Sequence, residues 1–161
     1  MNREERRAFV AAHRTAIFGY GRRQDGPAMT VVYYVVDGDD LLVSTMAARA
    51  KAKAVQRNQK VSLCVLDEQW PLTYLQVYCD AKVETDHAAN VDLGMRIAGV
   101  MAGKPMPEEV RPMIAEGIIR ENRVVLRLTP YATFETPPRH VYSAGDLTEN
   151  LVHEVSTSLP W

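Results

Sequence analysis

An unbroken run of apolar and β-branched residues constrains this chain most: Met29-Thr30-Val31-Val32-Tyr33-Tyr34-Val35-Val36. Turn signals bracket it, Gln24-Asp25-Gly26-Pro27 before and Asp37-Gly38-Asp39-Asp40 after. Asp-Gly tolerates the positive φ of tight hairpin turns. β-Branched and aromatic side chains suit a pleated surface. A strand signal lies on each side, Thr15 to Tyr20 and Leu41 to Thr45. The three segments read as an antiparallel meander. The central run does not alternate, so it predicts a strand covered on both faces.

The remaining chain alternates helix and strand signals. Ala47 to Gln59 is helical by propensity, with neither Gly nor Pro. Val61 to Leu66 and Leu72 to Glu84 read as strands around a loop at Asp67-Glu68-Gln69-Trp70-Pro71. His87 to Ala102 and Glu108 to Glu116 read as helices, with Gly103-Lys104-Pro105-Met106-Pro107 breaking them. Arg123 to Leu128 is a strand that Pro130 stops, and the tail from Thr136 is irregular, with one short helix at Leu147 to Val155. A length of 161 residues fits a single domain, 1–161, with a helical insert at about 87–122. The class is mainly β with peripheral helices, α+β. Hairpins imply antiparallel pairing, and curling into a closed or half-closed barrel removes exposed edges.

Composition excludes several functions. Lys and Arg number 19 against 20 for Asp and Glu, a balance that argues against a nucleic-acid binder. No run of about 18 apolar residues suggests a membrane span. Met1 to Arg7 lacks the apolar stretch of a secretory signal, so a cytoplasmic location is the default. Cys64 and Cys79 fall in strands and read as small buried hydrophobes. His13, His87, His140 and His153 are scattered singly, without metal-site spacing. The informative feature is a charge asymmetry. No acidic residue occurs from Leu41 to Leu66, whereas Arg49, Lys51, Lys53, Arg57 and Lys60 fall within that stretch. They follow a strand ending Ser44-Thr45 and open a helix. Hydroxyls, free helix N–H groups and cations make an anion site. A solvated basic helix face is the competing reading of the same residues.

The order of these segments resembles a known family. It is carried by Thr15-Ala16-Ile17-Phe18, Asp25-Gly26-Pro27, Val31-Val32, Asp37-Gly38-Asp39-Asp40-Leu41-Leu42-Val43-Ser44-Thr45, Arg49-x-Lys51-x-Lys53 and Arg57-Asn58-Gln59-Lys60-Val61-Ser62-Leu63. Over about Arg6 to Pro130 the chain resembles the split β-barrel proteins of the pyridoxamine 5′-phosphate oxidase-like superfamily. The stretch Asp67 to Val77, with Trp70-Pro71, looks like the branch that uses the 8-hydroxy-5-deazaflavin coenzyme F-420. The resemblance implies a homodimeric, FMN- or deazaflavin-dependent oxidoreductase acting on a small organic substrate. Arg49 and Lys51 would hold the cofactor phosphate, with Lys53 near it, and Ser44 and Thr45 would add hydroxyls or amides. Thr30, Val31 and Val32 would line the ring, and Trp70 would come from the partner subunit. No protein catalytic residue is implied, because the cofactor carries the chemistry. A non-catalytic carrier of flavin, deazaflavin or haem is the alternative, with His140 the loop candidate for a haem ligand. Arg127-Leu128 echoes the substrate-phosphate segment of true pyridoxamine-phosphate oxidases, but Tyr131 to His140 does not continue it, which argues against that substrate.

Overall fold

The computed structural model describes residues 1–69, 73–135 and 158–161. Helix α1 (Arg3–Ala12) starts at Asn2, whose side chain accepts from the Glu5 N–H while the Glu5 carboxylate accepts from the Asn2 N–H. This reciprocal cap fixes the entry to the fold. Then come β1 (Thr15–Tyr20), β2 (Ala28–Tyr33), β3 (Val35–Asp37), β4 (Asp40–Met46), α2 (Ala50–Arg57), β5 (Lys60–Asp67) and β6 (Thr73–Glu84). The insert forms α3 (His87–Ala102), a short 3-10 turn and α4 (Arg111–Arg120). β7 (Arg123–Phe134) and β8 (Ser158–Pro160) complete the sheet.

The ladder runs β2-β1-β5-β6-β7-β4-β3, with β8 on β7, and every pairing is antiparallel. β2 and β3, the two ends of that order, are one chain segment interrupted at Tyr34. The sheet therefore curls until a single bent strand serves both of its edges. β2 and β4 splay apart from the bend without a hydrogen-bonded ladder, so the barrel stays split along that line. Phe18, Leu41, Leu63, Leu75, Val77, Leu126 and Leu128 fill the interior, and α2 adds Ala52, Ala54 and Val55. α3 packs outside, where Leu93 meets Val35, Leu42 and Val125.

Several expectations are corrected. The Met29–Val36 run is two strands, because Tyr34 turns inward and its hydroxyl donates to the Val10 carbonyl. Its outer face is not covered: Met29 is 72% and Val31 73% exposed. The helix after Thr45 is shorter than Ala47 to Gln59, since Arg49 is extended and α2 begins at Ala50. Pro130 does not stop β7. The register with β6 shifts there, Tyr78 opposing Ala132 and Cys79 opposing Pro130. A bulge absorbs the missing donor and the strand continues to Phe134. The second insert helix starts at Arg111 rather than Glu108, after the 3-10 turn. Within the tail, Ser158–Pro160 pairs with β7, and Trp161 packs on the core beneath the Arg7 guanidinium, 5.0 Å from the ring centroid. Trp70, His140 and the helix expected at Leu147 to Val155 lie outside the described residues.

Arg127 ties the curled sheet together. From β7 it donates to Asp37 of β3 and Asp40 of β4, at 3.0 and 3.1 Å, and to Glu84 of β6 at 3.0 Å. Arg96 of α3 also holds Asp37. Bonds from Arg96 and then Arg127 hold the Asp37 carboxyl below its ordinary range. Burial raises Glu84, but bonds from Lys82 and Arg127 outweigh it and the net shift is downward. Carboxyls depressed in the folded state stabilise it above their unfolded pKa of about 4, and that contribution fades as pH falls through the folded values. Arg127→Met is expected to cost about 1–2 kcal/mol at neutral pH, the scale for partly exposed charge-assisted bonds. Urea unfolding of both proteins at about pH 7 and about pH 3 checks this, and the difference should shrink in acid. An equal difference at both values would show that the loss comes from packing alone.

Candidate anion site at the barrel split

The split between β2 and β4 leaves backbone groups of Thr30 to Val32 without a ladder partner on that side among the described residues. Along β2, Val31 points outward and Val32 points into the core. The Thr30 hydroxyl oxygen is buried without a partner among the described residues. On the other side, β4 carries Thr45 inward, nearly fully buried. Ser44 faces the opposite way, into a recess under α3 and α4, and accepts a bond from Arg123 at 3.0 Å. Its hydroxyl is therefore engaged away from the split.

The chain leaves β4 through a turn in which the Arg49 N–H bonds the Met46 carbonyl. It then opens α2 with no side-chain cap and no acidic residue in the first turn. An uncapped helix start aims free N–H groups and the positive dipole end outward. Arg49 stands at that start, and Lys51 is half-buried beside it with its Nζ 5.8 Å from the Phe18 ring centroid. Burial, and then the Arg49 charge, push the Lys51 ammonium below its ordinary range. Neither residue has an ion-pair partner among the described residues. Glu121 feels the Arg49 charge, but neither cation forms an ion pair among the described residues, and two such cations at an uncapped helix end form a site that an anion relieves electrostatically.

Lys53 lies one step round the helix. It lines a recess of about 180 Å³ with Tyr20, Gly21, Arg22, Arg23 and Arg57. The sequence points to Arg49, Lys51 and Lys53, but Arg22 and Arg23 are brought in by the β1–β2 hairpin. Their signal, adjacent arginines before Asp25-Gly26, has no local tie to α2. Arg57 donates to the Gly21 carbonyl at 3.0 Å and Arg22 pairs with Asp25. Arg23 and Lys53 remain without ion partners among the described residues.

Other candidates are excluded by their surroundings. Burial pushes the thiols of both Cys79 and Cys64 upward, so neither is an activated nucleophile. Arg127 is occupied by three carboxylates and is not free to grip a substrate phosphate.

A curled antiparallel barrel, split along one line and carrying at the end of the split cations that form no ion pair among the described residues, defines the architecture. Residues 3–136 match the family model described as pyridoxamine 5′-phosphate oxidase, and the chain belongs to that family. Solved structures share the fold. A conserved hypothetical protein from Mycobacterium tuberculosis superposes with TM-score 0.75 at 22% identity, covering 92% of this chain and 95% of that one. An F420 reductase gives 0.62 at 18% identity, covering 78% and 93%. A haem storage protein from Vibrio cholerae gives 0.58 at 16% identity, covering 80% and 89%. No curated protein matches the chain in sequence.

Proposed function

We propose that this chain is an oxidoreductase that binds an anionic flavin-type cofactor, coenzyme F-420 or FMN, in the split between β2 and β4. The observation that carries this reading is the uncapped start of α2 with Arg49 and Lys51 beside it, neither in an ion pair among the described residues. Arg49 and Lys51 take the phosphate, and Lys53 and Arg23 extend the positive field. The backbone of Thr30 to Val32 and the Thr30 hydroxyl, without partners among the described residues on the split side, would supply polar contacts to a planar ring. Thr45 shapes the floor of the split. When bound, the cofactor supplies two-electron transfer to or from a small organic substrate, which is why no acid–base pair or nucleophile of the chain is required. The fold is shared by a reductase and by a haem storage protein, so the electrostatics of the split decide between these readings rather than the architecture.

A second copy of the chain completes the site in this reading. The outer face of β1 and β2 exposes Ile17, Met29, Val31 and Tyr33, with Ile17 directly opposite Val31 in the ladder. No described element covers it. A contiguous apolar sheet face beside the split suits an isologous partner. The testing experiment is a titration of the purified protein with FMN and with coenzyme F-420, followed by absorbance near ~450 and ~420 nm, since the bound cofactor reports its own chemistry. One of them is expected to bind with a shifted band and to be reduced or reoxidised by a small substrate. If neither band moves at micromolar protein, the cofactor reading fails. If a band moves but no donor or acceptor ever changes it, the carrier reading replaces the enzyme.

A further inference from the structure

A second concavity lies on the far side of the strand bend, away from the α2 cations. It is a cleft of about 840 Å³ between the end of α1, β3, α3 and the turn that follows α3. Small-molecule sites occupy about 300–1,000 Å³. Val35 and Val36 form one wall and Met95, Val100 and Met106 line the others. Methionines make a wall that adapts to the ligand's shape.

The corner of the cleft is built by the end of α3. Gly103 adopts φ 70, a left-handed cap, and the Lys104 N–H returns to the Gly99 carbonyl at 3.1 Å. A Cβ on Gly99 would stand 3.1 Å from the Lys104 carbonyl oxygen, so the turn packs tightly only over glycine. This fixes where Lys104 leaves the chain, on the rim.

The charges in the cleft are not balanced. Its two acids, Asp92 and Glu108, are both held by Arg111, at 2.6 and 2.5 Å. Arg96 is engaged by Asp37 and the Val36 carbonyl. Arg14 and Lys104 remain, both lining the cleft and neither with an ion partner among the described residues. Apolar walls of Val35, Val36, Met95, Val100 and Met106, with two exposed cations that have no ion partner among the described residues, match one chemistry.

We propose that this cleft is a binding site for a small amphipathic carboxylate, its apolar body against Val35, Met95, Val100 and Met106 and its acid group between Arg14 and Lys104. The proposal stands apart from the cofactor reading and needs no redox group in the split.

The probe is decanoate, with decanol as its neutral counterpart, measured by isothermal titration calorimetry on the full chain. Decanoate is expected to bind in a single class of sites, and decanol at least about tenfold more weakly, because charge pairing contributes to the acid alone. The exposed pair Arg14→Ala and Lys104→Ala should weaken decanoate about tenfold or more while leaving decanol unchanged. Met106→Trp, which fills the cleft from its turn, should weaken both ligands. Arg49→Ala with Lys51→Ala should leave decanoate binding intact, which separates this site from the split. The proposal is overturned if decanoate does not bind, if the Arg14 and Lys104 variant binds it unchanged, if Met106→Trp leaves both ligands unaffected, if decanol binds as tightly, or if binding disappears with Arg49 and Lys51.

Discussion

Replacing Arg49 and Lys51 together by alanine is expected to weaken cofactor binding by about 3–5 kcal/mol, a loss of two to three orders of magnitude or more. Each single change should cost about 1.5–3 kcal/mol, the scale of a hydrogen bond to a charged group. The expected effect is large because neither cation forms an ion pair among the described residues, the Glu121 carboxylate acting on Arg49 only through its field. Lys60→Ala is the matched control. Lys60 is also basic and follows the same helix, but its Nζ is 2.6 Å from Asp80 and lies 4.3 Å from the Tyr131 ring centroid. Its loss should leave affinity nearly unchanged.

The Lys51 shift adds a pH signature. Burial and the Arg49 charge lower its pKa, so it gives up its proton at a pH below the ordinary lysine range. A bound phosphate favours the charged form and raises that pKa again. Binding therefore takes up protons where free Lys51 is partly neutral, and affinity falls as pH rises through its free value. Calorimetry in buffers of different ionisation enthalpy reads the uptake directly. Fluorescence or absorbance titration in the double variant gives the affinity. If the double variant binds both FMN and the deazaflavin with unchanged affinity, the α2 start is only a solvated basic helix face.

The candidate site was partly legible from sequence because its strongest signal is local. Arg49, Lys51 and Lys53 sit in one short stretch, and the absence of acids from Leu41 to Leu66 removes nearby counterions along the chain. Arg23 is different. It approaches α2 only because β1 and α2 meet at one end of the barrel, a contact between distant segments that no local pattern encodes. Ser44 shows the reverse error. Its position near the end of β4 suggests a phosphate hydroxyl, but strand alternation turns it outward, where Arg123 takes it. The long apolar run at Met29 was legible as strand and not as two strands, because the bend depends on Tyr34 reaching Val10 in α1. Pro130 misled for a related reason: only the partner strand's register shift shows that a bulge accommodates it. The Arg127 clamp draws on β3, β4 and β6: Asp37 and Asp40 share one turn, but Glu84 and Arg127 itself come from segments far along the chain.

That same apolar run carries the last expectation. Val31→Asp should convert a homodimer into a monomer. Val31 is 73% exposed within the single chain, so an aspartate there loses little packing and leaves the barrel's own stability within about 0.5 kcal/mol. In a dimer the same carboxylate would be buried without a partner, against the apolar face formed with Ile17, Met29 and Tyr33. Burying an unpaired charge costs several kcal/mol, enough to raise the dissociation constant about a thousandfold or more. Stable interfaces bury about 1,600 Å² in total, and an exposed two-strand face is a natural centre for one. Light scattering at micromolar concentration distinguishes the two masses, and thermal unfolding confirms that the variant still folds. The wild type is expected to be dimeric and the variant monomeric. Cofactor affinity should fall with the dimer, because the split opens beside this face and a partner subunit would close it. A wild type that is already monomeric, or a Val31→Asp monomer that binds cofactor as tightly as the parent, would place the whole site within one chain and leave the apolar face without this role.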